Sequence, residues 1–348
     1  MILVTGGTGL VGSHLLLELT RNGEKVRAFR RENSDLEKVK KVFSWYEPGN
    51  NALFQSIEWF TGDLMDIFSV EDALNGVEDI YHCAGKVSFD YTERKMLMKI
   101  NQKAAENLVN VSLRNGIRKL CHVSSISTLG RSKQGETITE QHYWKTSRKN
   151  SVYALSKYAA EREIWRGVEE GLTAVIVNPS VILGPGDWDN GSSKIFKTVW
   201  KGLPFYTTGS NGYVDVRDVV KIMVLLMKSE ISAKRFIVSS EDLTYKQLIT
   251  MIAGAFGKKE PLFRFQPWMG EIGWRLEGMK LLIGKKPTFT REITRTSFKE
   301  FYYNNSEIKQ AINYEFIPLT KSIKDTVEIF LKENPKKPAG FSLLNFVK

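Results

Sequence analysis

A phenol and an ammonium stand four residues apart in Tyr153-Ala154-Leu155-Ser156-Lys157, a spacing that places both side chains on one face of a predicted helix. A free tyrosine has a pKa near 10, and bringing it to neutral pH takes about 4 kcal/mol. One ammonium about 4 Å away, in an effective dielectric near 20, supplies roughly that much. The pair therefore suits general acid–base work on a substrate oxygen. The spacing alone is common; its neighbours give it weight. Residues 120–127 form an apolar run ending in Ser124-Ser125-Ile126-Ser127, at the carboxyl edge where parallel sheets bind ligands. There a serine hydroxyl would donate to a substrate oxygen beside the phenol. The competing reading has these serines merely cap a turn.

The second chemical signal is Val4-Thr5-Gly6-Gly7-Thr8-Gly9-Leu10-Val11-Gly12. It carries the spacing Gly6…Gly9…Gly12 and, overlapping it, Gly7…Gly9…Gly12. Glycines there permit the turn after a strand, close approach of backbone to a pyrophosphate, and close helix–sheet packing. The helix that follows presents free N–H groups and a positive dipole end. Gly6, Thr8, Gly9, Leu10, Val11 and Gly12 are thus predicted to cradle a dinucleotide. At the end of the second predicted strand stand Arg30 and Arg31, where an acid would read a ribose 2′-hydroxyl. A charge-assisted hydrogen bond to a 2′-phosphate contributes about 1.5–3 kcal/mol. The expected cofactor is NADP(H), with NAD(H) as the alternative. Adjacent strand residues point to opposite sides, so one arginine is expected to grip the phosphate directly.

These residues need elements to hold them. Residues 1–180 alternate short apolar runs with helical patterns, which predicts a doubly wound parallel sheet of the Rossmann type, an α/β fold. Strands are predicted at 2–5, 25–30, 57–61, 79–83, 119–124 and 173–178, and helices near 12–21, 70–74, 94–115 and 152–170. Asn22-Gly23 stops the first helix. Segments 212–228 and 235–239 are expected to return to this dinucleotide-binding domain, giving it residues 1–180 plus about 212–240. Residues 181–211 and 241–348 then form a smaller, mainly helical C-terminal substrate lobe. Within it Met269, Ile272, Leu276, Met279 and Ile283 recur at helical spacing beside Trp268 and Trp274. Packing on the core is the favoured reading of this 267–284 helix, ahead of a lid or an interfacial membrane helix.

The 348 residues are 42% hydrophobic and 26% charged, an ordinary globular composition. Two cysteines, Cys83 and Cys121, exclude a disulfide framework and a four-cysteine metal site. Four histidines in no i,i+4 pair exclude a zinc-protease helix, so no metal is expected. The net charge of +11 is spread among acids rather than gathered in one block, which argues for a solvated basic face and against nucleic acid. The longest apolar stretch, 219–227, is short and broken by Lys221, so no transmembrane segment is expected. Peripheral membrane contact and a homodimer both stay open. With a strand starting at Ile2 there is no room for a secretory leader, and the expectation is a soluble, cytoplasmic protein acting on a small molecule.

Taken together, Thr5–Gly12, Asp63-Leu64, His82-Cys83-Ala84-Gly85, Asn101, Ser124-Ser125 and Tyr153…Lys157 resemble the extended short-chain dehydrogenase/reductase superfamily, the NAD-dependent epimerase/dehydratase family. The resemblance implies a triad of Ser125, Tyr153 and Lys157. Tyr153 would exchange a proton with the substrate oxygen, Ser125 would orient that oxygen, and Lys157 would hold the nicotinamide ribose and depress the tyrosine pKa. Asp63 and Leu64 would flank the adenine. Ala84, Gly85 and Lys86 would line the cofactor groove together with Asn101, Pro179 and Val181. Sugar-nucleotide members typically carry Arg-x-x-Asn-Val-Tyr-Gly-Pro after the sixth strand. Here the chain reads Asn178-Pro179-Ser180-Val181-Ile182-Leu183-Gly184-Pro185, and Leu129 replaces the tyrosine usual after the catalytic serine. Three aliphatic positions suit an apolar or aromatic substrate. The stretch looks more like dihydroflavonol reductases, cinnamoyl-CoA reductases and the beta-hydroxysteroid dehydrogenases, as does Glu140 with Trp144 ahead of Tyr153. The resemblance thus implies an NADP-dependent oxidoreductase interconverting a carbonyl and a secondary alcohol. The alternatives are a nucleotide-sugar epimerase or dehydratase and, from another class, a non-catalytic NADP-binding regulatory protein. Intact Ser125, Tyr153 and Lys157 count against the last.

Overall fold

Four strands of the central sheet are buried along their whole length, as near-continuous apolar runs must be when both faces of a parallel sheet are covered. They are β1 (Ile2–Thr5), β4 (Asp79–His82), β5 (Lys119–Val123) and β6 (Ala174–Pro179). With β2 (Val26–Arg30), β3 (Glu58–Thr61) and β7 (Lys234–Val238) they form a seven-stranded sheet in the order β7-β6-β5-β4-β1-β2-β3. Every pairing in it is parallel. The computed structural model describes residues 1–88, 93–130, 135–147, 150–278 and 296–335. Strand order reverses between β1 and β4, which opens a crevice at their carboxyl ends.

Alternation along the strands divides the core into two layers. Val4, Tyr81, Cys121 and Val175 face one side and pack with Leu15, Leu16 and Leu19 of α1 (Leu10–Arg21). Leu3, Ile80, Leu120 and Ile176 face the other and meet two helices there, α2 (Arg94–Arg114) and α3 (Val152–Glu169). The helix α4 (Val216–Lys228) joins the first layer through Val219, Val220, Ile222 and Met223.

The predicted strands and helices stand within one or two residues of the observed ones, except that the helix predicted near 70–74 spans Ile67–Ala73. The helix Glu37–Tyr46 was not foreseen: Val39, Val42 and Phe43 are its buried stripe, set among lysines and glutamate. The returning segment divides. Strand Ser210–Asp215 joins a separate three-stranded sheet, parallel to Val181–Leu183 and antiparallel to Glu241–Thr244. Asp215 then caps α4 by accepting from Arg217 N at 2.7 Å, which turns the chain from the small sheet onto the large one. A second core of Leu183, Trp188, Phe196, Tyr213, Leu248, Ile323 and Phe330 lies around the small sheet and its helices, α5 (Tyr245–Ala255) and α6 (Leu319–Glu333).

The two cores are tied directly. Glu333 of α6 accepts from Trp45 Nε1 at 3.0 Å and from Trp188 Nε1 at 2.7 Å. Lys38 pairs with Asp187 at 2.6 Å, and Arg217 with Asp325 at 2.8 Å. The helix Pro267–Gly278 carries an exposed Trp268; Met279 and Ile283 of the 267–284 pattern lie outside the described residues. No helix among the described residues is long and apolar enough to cross a membrane.

Candidate active site

The glycine loop has no room for a side chain at Gly6 or Gly12. Gly6 has φ +70°, and a Cβ on it would lie 2.6 Å from Ala84 N; one on Gly12 would lie 2.1 Å from Gly6 O. Gly9 N donates to Gly6 O at 3.0 Å. Gly9 also opens α1, where no side chain caps the helix and no acid sits in the first turn, so its dipole end faces the crevice uncompensated. Thr8 and Val11 are half-buried, and Leu10 supports the loop at Gly186, whose Cβ would come 2.9 Å from Leu10 Cδ1.

Around this loop the remaining predicted residues are placed as follows. Arg30 ends β2 half-buried, and its Nε is buried without a hydrogen-bond partner. Arg31 is exposed, its backbone N–H donating to Ser34 Oγ at 3.0 Å. Asp63 accepts from Met65 N at 3.0 Å, closing its own turn, and Leu64 O accepts from Asn107 Nδ2 at 3.0 Å. Asn101 clamps Lys86 from both sides: its Oδ1 accepts from Lys86 N at 2.7 Å and its Nδ2 reaches Lys86 O at 3.0 Å. The Lys86 ammonium pairs with Glu93 at 3.2 Å. A Cβ on Gly85 would lie 3.5 Å from Lys157 Nζ, so this exposed glycine stands beside the ammonium. Pro179 ends β6 and Val181 begins the strand after it, half-buried.

Helix α3 starts with Ser151 accepting from Ala154 N at 2.8 Å, which fixes Tyr153 in its first turn and Lys157 in the next. Lys157 is buried and donates to Val123 O, the last residue of β5, at 2.7 Å. Ser125 makes two contacts. It caps the 3-10 turn Ile126–Thr128 by accepting from Ser127 N at 3.1 Å, and its hydroxyl shares a hydrogen bond with the Tyr153 phenol. Ser125, Tyr153 and Lys157 are thus brought together at the carboxyl ends of β4 and β5.

Their electrostatics differ from the simple expectation. Burial pushes the Tyr153 phenol up, with the Ser125 hydrogen bond pulling it down, and the depression expected from Lys157 is not found. The ammonium is spent on Val123 O, and desolvation of the phenol outweighs it. Lys157 itself is lowered to about 8, burial being the main cause, opposed by Glu161 and Cys83. Beneath it His82 and His122 stack at 5.0 Å, with Thr5 Oγ1 and His82 Nδ1 2.7 Å apart. Burial holds His82 down to about 3 and His122 well below its usual value, so both rings are neutral.

Two further placements bear on the sequence reading. Leu129 and Leu183 are taken into apolar core clusters and are buried, so of the three aliphatic positions only Val181 keeps partial exposure. Glu140 and Trp144 are anchors: Glu140 Oε1 accepts from Ile237 N at 2.9 Å, and Trp144 stacks on Tyr158 with ring centroids 4.4 Å apart. One residue was missed. Glu161 is buried one turn beyond Lys157 and gathers donors from Ser124, Thr128, Asn178 and Arg235. Its i+4 spacing from Lys157 was the available signal.

Residues 2–238 match the model of the NAD dependent epimerase/dehydratase family. Among curated proteins the chain is 30% identical over 308 residues to sterol demethylase protein B of Methylococcus capsulatus, covering 87% of this chain and 86% of that one. It is 23% identical to dihydroflavonol 4-reductase of Arabidopsis thaliana, covering 100% and 92%. The crystal structure of gox2253, 27% identical, superposes with a TM-score of 0.79 over 97% of this chain and 99% of that one.

Proposed function

We propose, from the premise that this chain belongs to the NAD dependent epimerase/dehydratase family of extended short-chain dehydrogenases/reductases, that it is an NADP-preferring reductase of a carbonyl on an apolar or aromatic small molecule. The observation that carries the reading is the Ser125–Tyr153 hydrogen bond, with Lys157 on the same helix and Gly85 beside its ammonium. Residues 1–180 with 212–240 are read as the cofactor-binding part, although strand Ser210–Asp215 pairs in the small sheet. Residues 181–211 and 241–348 are read as the substrate-binding part.

The chain fits a dinucleotide. The loop at Gly6 and Gly12 excludes a Cβ, the start of α1 lacks a cap, and Arg30 has a buried, unpartnered Nε. Gly6, Thr8, Gly9, Leu10, Val11 and Gly12 would hold the pyrophosphate, Arg30 the 2′-phosphate with Arg31 at its rim, and Asp63 and Leu64 the adenine. Ala84, Gly85, Lys86, Asn101, Pro179 and Val181 would complete the groove. When bound, the reduced nicotinamide supplies the hydride. The chain supplies the proton: with its pKa raised by burial, Tyr153 is a neutral phenol at physiological pH and donates to the carbonyl oxygen. Ser125 orients that oxygen, and Lys157 holds the ribose and compensates the negative charge left on Tyr153. A neutral acid favours reduction over oxidation as the working direction.

The substrate class rests on the relatives, whose names speak of sterols and dihydroflavonols, and less on the aliphatic positions now that two of the three are core. Purified protein with NADPH, scanned against ketones, aldehydes and nucleotide sugars at the reduced-nicotinamide absorbance band, tests it. Net NADPH consumption with an apolar carbonyl supports the reading; conversion of a nucleotide sugar without net cofactor change overturns it.

A further inference from the structure

Asn178 is fully buried near the end of β6, next to the end of β5. Its Nδ2 donates to Ser125 O at 3.1 Å and to Glu161 Oε2 at 3.0 Å, and stands 2.9 Å from Thr128 Oγ1. A carbonyl and a carboxylate only accept, so the nitrogen of the amide must face them. Its Oδ1 is then left buried with no hydrogen-bond partner among the described residues. An orphaned buried carbonyl is a cost that an apolar side chain of the same branched shape would not carry. What the asparagine adds in return is the pair of N–H donors.

Those donors act where the sheet stops. Backbone bonding between β5 and β6 reaches Ser124, whose N–H donates to Val177 O at 2.8 Å. One residue further along each strand, the Asn178 side chain makes the bond instead. The Ser125 carbonyl also accepts from Thr128 N at 3.1 Å and Thr128 Oγ1 at 2.9 Å, but both lie within its own turn. Among the described residues Asn178 supplies the bond to that carbonyl from outside the turn. We propose that Asn178 is a positioning residue: its amide holds the Ser125 carbonyl and thereby keeps the Ser125 hydroxyl at the Tyr153 phenol and at the substrate oxygen. The inference rests on the reading that Ser125 orients that oxygen. Asn178 is 0% exposed and has no surface to offer a substrate, so it acts through Ser125.

A double-mutant cycle on kcat tests this. The probe is the aromatic ketone or aldehyde that the wild type reduces fastest with NADPH. N178L keeps the branched shape and removes the donors together with the unpartnered oxygen. Its kcat should fall about ten- to a hundredfold, the loss that follows when a group at the reacting centre is displaced by about 1 Å. NADPH affinity, read by fluorescence titration, should stay at the wild-type value. S125A should lose as much or more. The double variant S125A/N178L should be no slower than S125A, because the hydroxyl through which Asn178 acts is already gone. A role in folding alone would multiply the two losses or leave N178L at the wild-type rate, and either result overturns the inference. A wild-type rate in S125A overturns the reading of Ser125 and this inference with it, as does a wild type that reduces no carbonyl of the panel. Should N178L not fold, N178D takes its place in the cycle, since its carboxylate has nothing to donate to Ser125 O.

Discussion

Replacing Lys157 by methionine should make the protein inactive and more stable. The folded lysine has a pKa of about 8 against 10.5 for the free side chain, so its buried ammonium costs the fold about 3 kcal/mol at neutral pH. The sign follows from proton counting. Between pH 8 and 10.5 the unfolded chain binds the proton that the folded chain has released, so stability rises with pH there, and below 8 the whole cost is present. Methionine fills the space without the charge but abandons the bond to Val123 O, which returns about 1 kcal/mol. The net gain at pH 7 is about 2 kcal/mol. A chain of 348 residues unfolds with about 0.7 kcal/mol/K of entropy, so the melting temperature should rise by about 3 °C. Calorimetry at pH 7 and pH 10 measures it, and the gain should shrink toward zero at the higher pH. A Lys157→Met variant that melts several degrees below the wild type at pH 7 would refute the argument, because the lysine would then be stabilising where it stands.

Other expectations are more direct. Tyr153→Phe should remove turnover and leave NADPH affinity within a few-fold, since the phenol acts on the substrate; wild-type rate on a confirmed substrate would end the mechanism. Arg30→Ala should cut the preference for NADPH over NADH at least tenfold while leaving NADH affinity unchanged, as titration calorimetry with both nucleotides will show. Gly12→Ala should abolish binding of either nucleotide, because its Cβ would stand 2.1 Å from Gly6 O. Asp218 is buried and its pKa is raised to about 6, mainly by burial, although Tyr314 Oη donates to it at 2.8 Å. The folded state therefore holds the extra proton between pH 3.8 and 6, and stability falls as pH rises through that window. Asp218→Asn keeps an oxygen for Tyr314 and should melt higher than the wild type above pH 6 but not at pH 4.

The parts legible in the sequence were those governed by local rules. A glycine that must lack a Cβ, a strand buried on both faces and a helix face with Tyr153 and Lys157 all leave a mark within a few residues. The hidden parts were set by partners far along the chain. Glu161 is fastened by Ser124, Asn178 and Arg235, none of which announces the others. Leu129 and Leu183 looked like pocket lining from their motif positions, and only tertiary packing shows them sealed inside. The Tyr153 phenol was read from its lysine neighbour, but desolvation depends on everything around it. For the helix Glu37–Tyr46 the apolar stripe was present, diluted by charge.

The carboxylate of Glu333, shared by the indoles of Trp45 and Trp188, bears on cooperativity. Neither core can let go without stranding an acceptor or a donor belonging to the other. Opening one therefore carries part of the free energy of opening both, which is the condition for a single melting transition in a chain of two cores. Both indoles report on it: their emission should change in one step on heating, and in two steps once Glu333 is replaced by leucine.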